Sequence, residues 1–167
     1  PPSWLTGHLM RGECLIAPIP LADFVKNIDT LQAIDSIGIA SDGGVGSVLL
    51  FGDRPIEEMR DIAVPTDSST SRTLLPWLLS RRGCKPRLIE MGPDLESMLD
   101  RCDGALIIGD RAIDEADVNS NLVRMDLGAE WLDQTGFPMV FGVFCARQDS
   151  DAGAIKLAVT ALEENLD

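Results

Sequence analysis

The stretch that decides the fold class is residues 61–91, DIAVPTDSSTSRTLLPWLLSRRGCKPRLIEM. It opens with DIAVP (61–65), a β-type run that Pro65 closes. A hydroxyl-rich turn follows, then TSRTLLPWLLSRRG (70–83), which reads as a helix with Gly83 as its stop. PRLIEM (86–91) returns to a strand. Upstream, PPSWLTGHLMRGE reads as an opening helix, with Pro1 and Pro2 suiting its first turn and Gly12 ending it. CLIAPI (14–19) reads as a buried strand and 20–28 as one or two helical turns. SIGIASD (36–42) and GSVLLFG (46–52) are β-type runs around the turn Asp42-Gly43-Gly44, and PIEEM is a helical turn after Pro55. Downstream come a short helix in PDLESMLD, a very apolar strand in GALIIGD (104–110), and a helix in DLGAEWLDQTG (126–136). FPMVFGVFCA (137–146) reads as a long strand and 151–166 as a final helix. Strands that alternate with helices and are apolar on both faces predict an α/β fold with a mainly parallel sheet. No internal repeat or low-complexity linker interrupts the pattern.

Composition narrows the function classes. The chain has 167 residues, with 27 acidic and 14 basic side chains, for a net charge of −13. Its 45% hydrophobic content is enough to offset ordering entropy, which excludes disorder. No apolar run reaches the roughly 18–20 residues of a membrane-spanning helix. The acidic balance argues against nucleic acid, whose phosphates demand a basic patch. Such a length suits one domain or two small lobes. No basic segment followed by an apolar core marks a signal peptide, and cysteines read as reduced thiols point to a cytoplasmic compartment. The sequence opens mid-pattern, and DAGAIKLAVTALEENLD stops without a C-cap glycine, so the fold is expected to be truncated at both ends.

Cys14, Cys84, Cys102 and Cys145 are spaced too widely for C-x-x-C chemistry, and Cys14, Cys102 and Cys145 are expected to be buried reduced thiols. His8 is the only histidine, so no Ser-His-Asp arrangement can be built, and a metal site has little material. Glu57-Glu58, Asp100/Asp103 and Asp114/Glu115 read as solubilising charge rather than acid/base pairs.

Three stretches carry candidate chemistry. In VPTDSSTSRTLL (64–75), five of the six positions 66–71 are hydroxyl residues: Thr66, Ser68, Ser69, Thr70 and Ser71. One hydroxyl suffices to cap a helix, so the excess points to a small anion, a carboxylate in particular, held at the helix start. No phosphate-loop signature is present. In SDGGVGSVLLF (41–51), Gly43, Gly44 and Gly46 permit close backbone approach before Ser47, or simply form a hairpin turn. In IIGDRAI (107–113), Asp110 ends an apolar strand, where open α/β sheets place ligands, or else caps a helix. A fourth stretch, MDLGAEWLDQTGFPMVF (125–141), reads as structural, with Asp126 an N-cap and Trp131 a packing residue.

In their order, LMRGECLIAPIPLADFVKN, SDGGVGSVLLF, PIEEMRDIAV, the DSSTS helix start, GALIIGDRAI and MDLGAEWLDQTGFPMVFGVFCAR resemble the MqnA/MqnD family of menaquinone-biosynthesis enzymes. The IGD-x-A-[LI] and DLG-x-x-W-x-x-x-TG-x-P-x-VF signatures are long and specific. The resemblance covers residues 1–149, the middle of a family whose members are longer at both ends, and it lies nearest the members that dehydrate chorismate. It implies a type-2 periplasmic-binding-protein fold, two α/β lobes around a ligand cleft. Residues 1–52 would belong to lobe 1, 53–149 mainly to lobe 2, and 150–167 to a helix returning towards lobe 1. It also implies conversion of chorismate to 3-[(1-carboxyvinyl)oxy]benzoate in the futalosine route, with no metal or organic cofactor.

The base would be the substrate's own enolpyruvyl carboxylate, so no catalytic side chain is assigned. Ser47, Ser68, Thr70, Ser71 and Asp110 are the expected substrate-binding residues, with the role of Asp110 open. A histidine base, used by a related enzyme of the pathway, has no counterpart here. Pro20 stands where the family usually has a small hydroxyl residue, Leu15 where an aspartate is common, and Ser69 where an arginine is common. The competing reading is a non-catalytic protein that binds a small carboxylate on the same scaffold, which fold alone cannot separate from the enzyme. A regulatory effector-binding domain would need a helix-turn-helix segment that the sequence lacks.

Overall fold

Helix α3 (Ser69–Arg81) shows why these residues fold as they do. Thr70, Ser71, Leu74, Leu75, Leu78 and Leu79 are its buried residues, two rows at i, i+4, i+8 that form one face. Ser68 caps its start. At its end the N–H of Gly83 reaches Ser80 O and that of Cys84 reaches Leu79 O, a Schellman closure that needs the positive φ of Gly83. The structure, a computed structural model, describes residues 2–66 and 68–165. Pro1, Asp67 and residues 166–167 fall outside the described residues, and with them the first of the paired prolines, the aspartate of the DSSTS helix start and the end of the final helix.

The chain forms two compact units, Pro1–Ala40 with Val140–Asp167, and Ser41–Met139. In chain order, α1 (Pro2–Met10), β1 (Ala17–Pro20), α2 (Leu21–Lys26) and β2 (Leu31–Ser41) come first. Next are β3 (Val48–Gly52), a 3-10 turn (Ile56–Glu58) and β4 (Asp61–Pro65) before α3. Then follow β5 (Arg87–Met91), α4 (Leu95–Leu99), β6 (Gly104–Ile108), α5 (Asp110–Val118), β7 (Val123–Asp126) and α6 (Leu127–Thr135). β8 (Met139–Arg147) and α7 (Ala152–Glu163) end the order.

The first unit holds a three-stranded sheet in the order β1-β8-β2, with β1 antiparallel to β8 and Ala17 opposite Cys145. Leu9, Ala17, Ile19, Leu31 and Cys145 form its core, against which Leu5, Phe24 and Val143 pack. The Arg147 guanidinium donates to Met10 O at 2.7 Å and ties β8 to the end of α1.

The second unit holds a five-stranded sheet in the order β5-β4-β6-β3-β7. β4 is parallel to β5 and to β6, while β3 is antiparallel to both β6 and β7. The expected mainly parallel sheet is therefore mixed. Leu49, Phe51, Ala63, Ala105 and Ile107 share one core with Leu95 and Met98 of α4. The alternate residues Leu50, Ile62, Val64 and Leu106 are buried as well, so both faces are covered. The units divide at residues 40/41 and 139/140, whereas the sequence-based boundaries stand at 52/53 and 149/150. β3 lies on the inner side of 52 because its two ladders, to β6 and β7, are both in the second unit. Asp42-Gly43-Gly44 is not a hairpin turn, since β2 and β3 belong to different sheets.

Candidate functional site

The strand order of the second unit contains a reversal. From β4 the chain goes through α3 to β5 on one side, then through α4 to β6 on the other. The carboxyl ends of β4 and β6 lie side by side there, because Ile62 pairs with Gly104 and Ala63 with Ala105 in parallel register. In open α/β sheets this is the place where helix starts diverge and leave a crevice for a ligand. β3 runs against β6 with Val48 opposite Ile108, which brings Ser47 to the same end. β7 runs against β3 with Leu49 opposite Asp126, which adds Asp126. One end of one sheet thus gathers the helix start at 68–71, Asp110, Ser47 and Asp126.

At the α3 start, Ser68 Oγ accepts the Ser71 N–H at 3.3 Å and donates to Ser71 Oγ at 2.7 Å. Ser68 is half-buried, whereas Thr70 and Ser71 are 5% and 1% exposed. Among the hydroxyls of 68–71, Ser68 and the half-buried Ser69 thus lie nearer the surface. Ser69 Oγ itself is buried without a hydrogen-bond partner.

Asp110 is the first residue of α5 and is exposed. Gly109 precedes it at φ 70°, a backbone turn suited to glycine, and donates its N–H to Ser47 O at 2.7 Å. Asp110 and half-buried Ser47 are thereby neighbours across one hydrogen bond.

Sequence reasoning treats Asp126 as an N-cap, and the structure bears this out: its carboxylate accepts the N–H groups of Gly128 and Ala129 at 2.8 and 3.1 Å. It also accepts the N–H of Val45 at 3.0 Å and of Gly46 at 2.7 Å, a role the sequence reading missed. The only local signal was the glycine-rich loop itself. Trp131 packs as expected, its ring 5.2 Å from that of Trp77, with its indole nitrogen buried and unpartnered. In the first unit, Pro20 sits on β1 opposite Gly142, and Leu15 lines a groove of about 540 Å³ with Pro18, Phe144 and Leu162.

All four cysteines are free: Cys102 and Cys145 are buried, while Cys14, expected buried, is half-buried like Cys84. Burial pushes the Cys145 thiol up to about 11, and it also raises Cys102. Of the carboxylates read as plain surface charge, Asp103 is structural: it accepts the N–H groups of Arg60 and Asp61, at 2.8 and 3.3 Å, and pairs with Arg54. Among the described residues no helix is long and apolar enough to cross a membrane.

The mixed α/β architecture with two sheets has a fold of the periplasmic-binding-protein-like class. The fold matches the periplasmic aliphatic sulphonate binding protein of Escherichia coli with a TM-score of 0.65 at 16% identity, over 95% of this chain and 56% of that one. It matches a crystal structure of a protein from Archaeoglobus fulgidus with a TM-score of 0.78 at 22% identity, over 98% of this chain and 61% of that one. At such identities the likeness speaks for the fold alone.

Within that class the chain belongs to the menaquinone-biosynthesis family, whose model, described as "Menaquinone biosynthesis", matches residues 1–167. A relative from Thermus thermophilus, a chorismate dehydratase, is 30% identical over 178 residues. That match covers 98% of this chain, which spans 65% of the relative's length.

Proposed function

We propose that this chain is the substrate-binding portion of a chorismate dehydratase that forms 3-[(1-carboxyvinyl)oxy]benzoate in the futalosine route to menaquinone. The observation that carries this reading is the gathering of a hydroxyl-rich helix start, Ser47 and Asp110 at the switch point of a sheet in a chain of this family. The two compact units are the two lobes of the fold. The enzyme works in the cytoplasm without a dedicated cofactor.

The start of α3 supplies N–H dipoles and hydroxyls to the ring carboxylate of chorismate. The ring proton on the ether-bearing carbon is acidified by conjugation with that carboxylate. Its departure places negative charge on the carboxylate that the helix start holds, so the contact strengthens towards the transition state. The hydroxyl on the adjacent carbon leaves with a proton as water, and the ring becomes aromatic. The substrate's enolpyruvyl carboxylate takes the ring proton and hands it to the departing hydroxyl, so that proton and hydroxyl together leave as one water. Ser47 donates to a substrate carboxylate. Asp110, itself an anion, is suited to accept from the substrate hydroxyl rather than to hold an acid group. The chain's net charge of −13 opposes a dianionic substrate, so this local reversal of potential has to be supplied at the site.

The test is incubation of the full gene product with chorismate. The expected result is a product lighter by one water, with kcat/KM lowered at least tenfold by Ser47→Ala. Chorismate left intact where an authentic dehydratase consumes it would overturn the enzyme. Chorismate bound but recovered unchanged would support a carboxylate-binding protein instead.

A further inference from the structure

The loop at 42–47 looks like an anion cradle, yet two of its donors, the N–H groups of Val45 and Gly46, are already taken. Asp126 Oδ1 accepts Val45 N–H together with Gly128 and Ala129 N–H, and Oδ2 accepts Gly46 N–H at 2.7 Å. One carboxylate therefore joins the loop before β3 to the first turn of α6. Gly128 completes the seat, since a Cβ there would lie 2.6 Å from Gly43 O and from Ser41 Oγ. Only a residue without a side chain lets the loop come down on α6 at this point. Gly43 and Gly46, at φ 109° and 69°, take the conformations the seating requires. Ser47 is then held on both sides. Gly46 before it is tied to Asp126, Val48 after it enters the ladder with Ile108, and Ser47 O accepts the Gly109 N–H.

From this geometry we propose that Asp126, with Gly128 as its seat, is the positioning residue for Ser47. By occupying the N–H groups of Val45 and Gly46 it withdraws them from substrate and fixes the backbone that carries the Ser47 hydroxyl. Through the bond from Gly109 to Ser47 it also sets the distance between Ser47 and Asp110. The assignment rests on the binding role proposed above for Ser47.

The experiment uses the full gene product in the forms Asp126→Asn, Gly128→Ala, Ser47→Ala and Asp126→Asn/Ser47→Ala. Asparagine caps a helix as well as aspartate does, so α6 keeps its start, but its amide group turns a donor against the Gly46 N–H. Amide hydrogen exchange should speed up at least tenfold at Gly46 in Asp126→Asn and at Val45 and Gly46 in Gly128→Ala, while exchange in α3 stays unchanged. With chorismate, Asp126→Asn should raise KM roughly tenfold to a hundredfold, up to the loss of the one charge-assisted hydrogen bond from Ser47, with a much smaller change in kcat. The double variant should be no worse than Ser47→Ala alone, because Asp126 acts through Ser47. A purely structural Asp126 would instead give losses that multiply, and that result overturns the proposal. Unchanged exchange at Gly46 in Asp126→Asn overturns it too. Should the unaltered protein leave chorismate intact, the enzymatic reading fails, and the exchange data still decide whether Asp126 holds the loop.

Discussion

Ser68 combines a structural duty and a proposed ligand contact in one side chain, and two substitutions separate them. Its Oγ accepts the Ser71 N–H at 3.3 Å and donates to Ser71 Oγ at 2.7 Å. Ser68→Ala removes the N-cap of α3, at about 1 kcal/mol. It also deprives the Ser71 hydroxyl, 1% exposed as a residue, of that partner, at about 1 kcal/mol more. A loss of about 2 kcal/mol is expected. Ser68→Asp keeps an acceptor for the Ser71 N–H and puts a negative charge at a helix N-terminus, a gain of about 0.5 kcal/mol. Its stability should therefore remain close to that of the parent.

Binding should rank the other way. A unit charge about 6 Å from a bound carboxylate, at an effective dielectric of about 20, costs about 3 kcal/mol. That is roughly a hundredfold in affinity. Urea unfolding with an unchanged m-value measures the first ranking, and calorimetric titration with chorismate measures the second. An Asp variant that binds chorismate as tightly as the parent would remove the α3 start from the carboxylate site. An Ala variant as stable as the parent would refute the capping account.

Met59 is buried against Gly52 and Gly104, which face each other across β3 and β6; a Cβ on Gly104 would lie 2.7 Å from its sulfur. Met59→Ala should cost about 2–4 kcal/mol, and adding Gly104→Ala to it should cost less than in the parent, measured by a denaturation cycle; strict additivity would refute the contact. Asp103 lies below the usual carboxylate range because it accepts the Arg60 N–H, then the Asp61 N–H, beside Arg54. Its folded pKa is thus depressed from about 3.9, so its contribution is fully present above about pH 4 and is lost as pH falls through the folded value. Asp103→Asn should flatten the acid side of the stability curve, and an unaltered slope there would refute this. At pH 8, a maleimide should label Cys14 and Cys84 well before Cys102 and Cys145 in native protein, read by peptide mass spectrometry; early labelling of Cys145 would refute its burial.

Where elements carry their own local signals, the fold was legible. DIAVP, the hydroxyl turn and the Gly83 stop sit within one continuous stretch, and each appears where expected. The sheet's direction was not legible. β3 is buried along its whole length, and such a run looks alike whether its neighbours are parallel or antiparallel. β7 carried no expectation, because Met125 is its one buried residue, too little for a periodicity, and α5 was foreshadowed only by Asp110 as a possible helix cap. At the candidate site, the hydroxyl excess could be read from composition. The nearness of Ser47 to Asp110 could not, since the pairing of β3 with β6 creates it. Asp126 was half legible, as a local cap can be read from sequence, but a grip on residues 80 and 81 positions away cannot.

The division into units has a consequence for how the molecule is made. Ser41–Met139 is one uninterrupted stretch, while the other unit draws on both ends of the sequence. Among the described residues β1 neighbours β8 in its sheet, and β8 stands between β1 and β2. During synthesis from the N-terminus, the five-stranded sheet has all its strands before β8 has been added. Among the described residues, β1 and β2 find their sheet partner only in β8, so that pairing waits until β8 has been added. Joining Ala17 to Cys145 closes a loop across most of the chain, the slow kind of contact in folding. The middle of this sequence is therefore set to fold before its ends, and substitutions in β8 should slow completion more than substitutions in β4.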